Sequence, residues 1–371
     1  MFVHPVYSAP DFSLDLFRQA PLCTFSPAPK DGVAPSNYHA TSVFPEYLHL
    51  SVGQWAMPEH SRMDCVIRAI KGKLDVIECR RIKKGDMIAT GRTENGEEGI
   101  YVHPDGFLQS DNDTPKDKFS FRSRTTRESS FSIDYDQLYS LLKNERENGK
   151  IIWVAGPAVV FDSDARQAFT TLIEEGFVHG LLAGNALATH DLEGALHNTA
   201  LGQDIYTGQS QHLGHYNHLD TINTIRQAGS IRKAAAKGLI TSGVMKALED
   251  KNIPYVLAGS IRDDGPLPEV ITDSSKAQNA MRQQVTEATT VITLATQLHT
   301  IATGNMTPSY TVRNSVIRPV YFFSVDMSEF AADKLANRGS LTARAFLTNV
   351  QDFIVNLQRG VTDTGGMNLC D

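Results

Sequence analysis

The sequence predicts an α/β protein: a parallel sheet with helices on both faces, preceded by a small antiparallel β domain. Three observations carry this. Short apolar runs ending in glycine or a polar residue recur through the C-terminal half, with helix-length segments between them. That alternation is the pattern of a parallel sheet covered on both sides. The run Tyr255–Ala258 ends at Gly259 and releases Arg262, Asp263 and Asp264 ahead of two prolines. This is how the carboxyl edge of such a sheet reads, and ligands bind at that edge. Between Tyr38 and Phe107 the pattern is instead alternating, with Lys83-Lys84-Gly85-Asp86 and Glu94-Asn95-Gly96 as turn signals. Short alternating runs bracketed by such turns form antiparallel hairpins. The C-terminal half is therefore expected to be Rossmann-like.

In chain order, residues 1–37 carry Pro5, Pro10, Pro21, Pro27, Pro29 and Pro35 and little periodicity, and read as an N-terminal arm that wraps a neighbour or as a partly ordered tail. Residues 38–115 form the small β domain, with strands at 47–52, 64–70, 74–82 and 87–90. Residues 116–150 are a linker, polar and rich in Ser, Thr and Arg, followed by an amphipathic helix with Tyr135, Leu138, Leu141 and Leu142 on one face. Residues 151–371 are the catalytic α/β domain. Its strands are expected at 151–156, 178–182, 255–259, 291–295 and 320–325. Its helices are expected at 163–175, 187–201, 219–228, 230–237, 242–250, 274–287 and 342–358.

Composition narrows the function classes. A 371-residue chain that is 41% hydrophobic and 21% charged has ample core, so disorder is not the default. A net charge of -7 argues against a general binder of nucleic acid or of acidic membranes. No apolar run approaches the ~18 residues of a membrane span, and the N-terminus lacks the basic and apolar regions of a secretory signal. Cys23, Cys65, Cys79 and Cys370 are widely spaced with no CxxC, which suits free thiols in a reducing cytoplasm.

Four segments are expected to meet at the sheet edge: Gly184 to Asp191, Leu239 to Met245, Ala258 to Asp264 and Leu298 to Met306. Glycine lets backbone amides approach a ligand, and small residues at a helix start leave amides pointing at phosphate. The cofactor-binding candidates are therefore Gly156, Gly184, Asn185, Ala186, Ser242, Gly243, Gly259, Ser260, Gly304 and Asn305, with Asp326 placed to accept a ribose hydroxyl. No GxGxxG is present, and glycines after strands also serve simply to make βα turns. His212, His215 and His218 recur at three-residue intervals but fit no common zinc spacing, so no metal is expected. The absence of GxSxG and of a cysteine in this half before Cys370 argues against acyl-enzyme chemistry.

The stretches IIWVAGPAVV, GHYNHLDTINTIRQAGSI, GLITSGVM, PYVLAGSIRDDGPLPEVITD and LATQLHTIATGNMTPS, in this order, resemble the ornithine cyclodeaminase family of archaea and cyanobacteria, members of which are labelled lysine-oxoglutarate reductase/saccharopine dehydrogenase proteins. YHATSVFPE and RIKKGDMIATG resemble that family's small β domain, so the likeness runs from Tyr38 to about Gln358. The resemblance implies a deoxyhypusine-synthase-like NAD-binding domain, bound NAD, and conversion of L-ornithine to L-proline and ammonia. It also implies an internal redox cycle, in which a hydride leaves Cα, the distal amine attacks the resulting imine, ammonia departs, and the hydride returns to the ring. On that mechanism Arg262 is the carboxylate clamp and Asp263 and Asp264 hold the distal ammonium. Asp191, His215 and Asp264 are the proton-transfer candidates, and Asn217 and His218 face the substrate. The expected partners are an amino-acid substrate and further copies of the chain, as a dimer or tetramer. Two other readings stay open: a net NAD-dependent amino-acid dehydrogenase and a non-catalytic NAD-binding protein.

Overall fold

The protein is described here by a computed structural model covering residues 2–107, 132–263, 265–328, 330 and 341–362. The N-terminal region builds a four-stranded antiparallel sheet in the order Thr24–Pro27, Met87–Thr90, Val66–Ile70, Lys73–Ile77 and a three-stranded one from Gln54–Ala56, Glu46–Ser51 and Ile100–Val102. Residues 24–27, expected in an arm that wraps a neighbour or in a partly ordered tail, are thus a sheet strand paired with Met87–Thr90. Upstream, Phe12 and Phe17 pack on Trp55 at ring separations of 5.5 and 5.4 Å, which ties the arm to its own β domain.

The C-terminal half is a six-stranded parallel sheet. Its strands are β1 (Ile151–Ala155), β2 (Gly180–Gly184), β3 (Tyr255–Ala258), β4 (Thr290–Leu294), β5 (Tyr321–Asp326) and β6 (Ala343–Leu347), in the spatial order β3-β2-β1-β4-β5-β6. Each neighbouring pair runs parallel. The chain winds outward from β1 to β3, then returns to the other side of β1, so the order reverses between β1 and β4. The helices are α1 (Ser132–Asn148), α2 (Ser163–Glu174), α3 (Asn185–His197), α4 (Asn217–Ala228), α5 (Ile231–Ala236), α6 (Val244–Asp250), α7 (Ser274–Val285), α8 (Gln297–Met306) and α9 (Val350–Thr362).

Alternate residues of each strand enter opposite cores, as a twofold side-chain repeat demands. Trp153, Leu181, Ile292 and Phe323 face Phe169, Leu172, Phe353 and Leu357 on one side. Ile152, Val154, Leu182, Val291 and Phe322 meet Ala277, Met281 and Met306 on the other. Trp153 is fully buried, and its indole N–H donates to the Phe177 carbonyl at 2.9 Å, so its polar atom is satisfied.

Three further features differ from expectation, the first being the helix α8 over Gln297–Met306, where no helix was expected. Residues 342–358 do not form one helix: Ala343–Leu347 is β6, and α9 starts at Val350. Helix propensity of Ala343, Arg344 and Ala345 loses to pairing along the β5 edge and to burial of Phe346 against Phe353, 5.4 Å between rings. A hairpin of Tyr310–Arg313 and Val316–Pro319 was not anticipated. Its turn, Asn314-Ser315, has positive φ at both residues, as the tight hairpin turn requires. This hairpin joins the two halves of the molecule. Tyr310 pairs with Ser61, and its hydroxyl donates to the Pro58 carbonyl at 3.0 Å. No helix among the described residues is long and apolar enough to cross a membrane.

At the amino end of the sheet, fully buried Glu145 of α1 accepts from Arg318 Nη2 at 2.7 Å and from the Thr289 hydroxyl. Removing one member of a buried, hydrogen-bonded ion pair leaves the other charge uncompensated and costs about 3–5 kcal/mol. Glu145→Gln is therefore expected to lower unfolding free energy by that amount in urea titrations. The double variant Glu145→Leu/Arg318→Met should lose less than the single one; a double variant that loses more would show the pair to be a net source of stability.

Candidate active site

The carboxyl ends of β1 to β5 open onto one edge. Four helices near it begin under side-chain caps. Asp162 accepts from Ala165 N at 2.9 Å at the head of α2, Ser230 from Lys233 N at 3.0 Å at α5, and Asp273 from Lys276 N at 2.7 Å at α7. The α6 head is capped from a distance, by Asp191. The helices that follow β2 and β4 differ: α3 begins at Gly184 and α8 at Thr296 with no side-chain cap. Their first-turn N–H groups are left for another acceptor, and a helix head with open amides favours an anion.

The expected residues fall into distinct groups. Gly184, Asn185 and Ala186 form the α3 head; Ala186 is exposed there, and Asn185 Oδ1 accepts from Leu267 N at 3.0 Å, which draws the loop after β3 towards it. Ser242 is exposed beside this region, and Gly243 has φ of 103°. A methyl group on Gly243 would stand 1.9 Å from Arg166 Nη2, so this glycine lets the loop close on Arg166. Ser260 is exposed on the loop after β3. Asp326 ends β5 half-buried, and its Oδ1 accepts from Ser328 N at 3.0 Å.

Two of the cofactor candidates have a packing reason instead. A methyl on Gly156 would lie 2.1 Å from the Ala295 carbonyl oxygen, and one on Gly259 would lie 2.9 Å from Thr272 Cα. These glycines let neighbouring backbone segments touch at the switch point and beside β3. Gly304 and Asn305 are displaced from the expected place altogether. They end α8, about 10 Å along its axis from the helix head at the edge. The helix starts only two residues after β4, so its first turn, not its last, reaches the edge.

Asp191 has a structural geometry. It is fully buried and accepts from Arg166 Nε at 2.7 Å, Val244 N at 3.0 Å and Met245 N at 2.8 Å. Arg166 also donates to the Ser242 carbonyl at 3.1 Å. A carboxylate with its lone pairs so occupied caps α6 rather than carrying protons to a substrate. His215 is exposed, its ring 4.3 Å from that of Tyr216. Asn217 Nδ2 donates to Thr199 Oγ1 at 2.9 Å. His218 is half-buried with its ring 6.5 Å from that of His190. Arg262 is exposed, and Asp263 accepts from Ser260 N at 2.8 Å across a tight turn. Asp264 lies outside the described residues, as does Cys370.

Sequence reasoning passed over two histidines. His190 Nδ1 lies 2.8 Å from Oε2 of fully buried Glu193, which also accepts from Thr199 Oγ1 at 2.7 Å and Gly202 N at 2.9 Å. Burial alone would raise the Glu193 carboxyl; the bonds from His190, Gly202 and Thr199 outweigh it and hold the group below its ordinary value. The three-residue spacing of His190 and Glu193 on one helix was the available signal. His299 stands in the first turn of α8, its ring so close over β2 that a methyl on Gly184 would lie 3.2 Å from Cε1. Burial pushes its pKa down, opposed by the negative charge of Asp263. A separate groove of about 290 Å³, lined by Asp162, Asp164, Asp352 and Arg359, runs between α2 and α9; it includes none of the residues expected in the site.

A family model described as arginine dihydrolase ArgZ-like, C-terminal, Rossmann fold, matches residues 137–357. The ornithine cyclodeaminase of Methanothermobacter thermautotrophicus is 38% identical over 348 residues, 92% of this chain and 79% of that protein. The chain belongs to the ornithine cyclodeaminase family. The ornithine cyclodeaminase of Methanocaldococcus jannaschii is 39% identical over 88% of this chain and 75% of its own length. A solved LOR/SDH protein from Methanococcus maripaludis superposes with a TM-score of 0.81 at 34% identity, covering 92% of this chain and 98% of that one. The ternary complex of AgrE with ornithine and NAD+ superposes with a TM-score of 0.57 at 32% identity, covering 94% of this chain and 47% of AgrE.

Asp191→Asn is expected to lower the stability of this family member by about 3–5 kcal/mol, because Arg166 is left buried without its partner. A urea midpoint equal to the parent's would remove the structural role and return Asp191 to the proton-transfer candidates.

Proposed function

We propose that this protein is an NAD-using ornithine cyclodeaminase that converts L-ornithine into L-proline and ammonia. The observation that carries this is the pair of uncapped helix heads, α3 and α8, beside the strand-order reversal in a member of this family. The NAD+ and ornithine bound by AgrE support the same ligands here. When bound, NAD supplies the hydride acceptor for Cα and returns the hydride to the ring. Gly184, Asn185 and Ala186 at the α3 head would hold the pyrophosphate, Ser242 and Ser260 would flank it, and Asp326 would accept a ribose hydroxyl. Arg262 grips the substrate carboxylate through its two-pronged guanidinium, and Asp263 attracts the distal ammonium. Asn217 and His218 close the wall on the α4 side.

The protein works as a homo-oligomer in a reducing cytoplasm. Exposed Leu213, Tyr216 and Leu219 give one apolar surface for self-association, and Cys23, Cys65 and Cys79 are free thiols.

The test uses ornithine labelled with ¹⁵N at the α position and substoichiometric NAD. The label is expected in ammonia, with unlabelled proline formed and no net NADH. One NADH per ornithine would identify a net dehydrogenase, and tight NAD binding without turnover a non-catalytic protein. Arg262→Gln is expected to raise the KM for ornithine about 10- to 100-fold, the range of a lost charge-assisted bond, while the Kd for NAD holds. An unchanged KM would take Arg262 out of the substrate site.

A further inference from the structure

We propose that His299 is the general base of the reaction, taking the proton from the substrate ammonium at Cα. The inference rests on the cyclodeaminase reading above. Its grounds are positional. His299 lies in the first turn of α8, one of the two uncapped heads that follow a strand of the parallel sheet, and its ring stands over Gly184, the N-cap of the other. It therefore bridges the ends of β2 and β4 across the crevice beside β1, the switch-point crevice in which sheets of this order bind their ligands. Each of the two proton-transfer candidates among the described residues is less well placed. Asp191 is consumed by Arg166 and the α6 amides, and His215 is exposed on Tyr216.

Burial favours the neutral imidazole, the form able to accept a proton, and Asp263 is the charged group that acts on it. Asp263 sits on the loop after β3, while α8, Gly184 and the Ala258 end of β3 bring no further charge to the ring. A neutral base whose conjugate acid is steadied by a nearby carboxylate suits a proton taken up and later given back. The step balances. An ammonium N–H bond breaks and a ring N–H bond forms, which frees the nitrogen lone pair that expels the hydride from Cα. The distal ammonium gives up a proton to solvent before its nitrogen forms the new bond to Cα; the imidazole proton returns to the α nitrogen as that nitrogen's bond to Cα breaks, and the released ammonia takes up a proton from solvent. Ornithine enters with one net positive charge, and proline leaves neutral with ammonium carrying that charge.

The experiment compares the parent with His299→Asn and His299→Gln in the full chain with NAD present. It measures ornithine turnover from pH 5 to 10, the KM for ornithine, and NAD affinity by calorimetry. Both variants are expected to lose about 10²- to 10⁴-fold in kcat, with NAD affinity and KM within about threefold of the parent. The fall of the parent's kcat/KM on the acid side should disappear. Turnover within threefold of the parent, or an acid-side fall that persists in the variants, overturns the assignment. Loss of NAD affinity in step with turnover also overturns it and makes His299 part of the cofactor cradle. A parent that binds NAD but leaves ornithine untouched overturns the cyclodeaminase reading and this inference with it; an active parent with unaffected variants overturns the inference alone.

Discussion

The site depends on one buried ion pair, Arg166 with Asp191. Arg166 comes from α2, Asp191 from α3, and the groups they hold belong to the loop before α6. In a low-dielectric interior such a pair is worth keeping only when every remaining lone pair and N–H is satisfied. Here the α6 amides and the Ser242 carbonyl do that. The pair fixes the positions of three segments against β2, and Gly243 is glycine because any side chain would displace Arg166.

The sheet order explains where the open helix heads lie. In many sheets that reverse beside the first strand, the turn after that strand cradles phosphate. Here that turn begins Gly156-Pro157. Proline has no N–H to offer, and the space a phosphate would need beside Gly156 is filled by the Ala295 carbonyl. The open amides are instead on α3 and α8, one strand to either side of β1. The same displacement brings His299 to the centre of the edge.

The β domain is fastened to this unit by more than the Tyr310 hairpin. Glu78 lies between Arg62, from its own domain, and Arg282 of α7. Arg80 donates to Asn279 of α7 at 2.9 Å. Desolvation lowers the Arg282 pKa to about 10, against the attraction of Glu78 and with the repulsion of Arg62, Arg80 and Arg81. One carboxylate thus organises a basic cluster at the domain contact, and α7, which follows the loop carrying Arg262 and Asp263, is anchored through it.

The order of the first five parallel strands along the chain and the presence of helices after β1, β2 and β3 could be read from the sequence, because apolar runs, glycine stops and the spacing of buried residues are local signals. Gly184-Asn185-Ala186 was legible as the turn from strand to helix, although the helix was expected from Leu187 and begins at Asn185. What the sequence could not supply was anything set by a distant partner. Ala343–Leu347 is a strand because β5 offers an unpaired edge. Gly156 and Gly259 are packing residues because other backbone lies against them. Asp191 is a cap because Arg166 and α6 arrive beside it. Gly304-Asn305 and His299 share one helix, and only the point where β4 stops determined which of them faces the ligand edge.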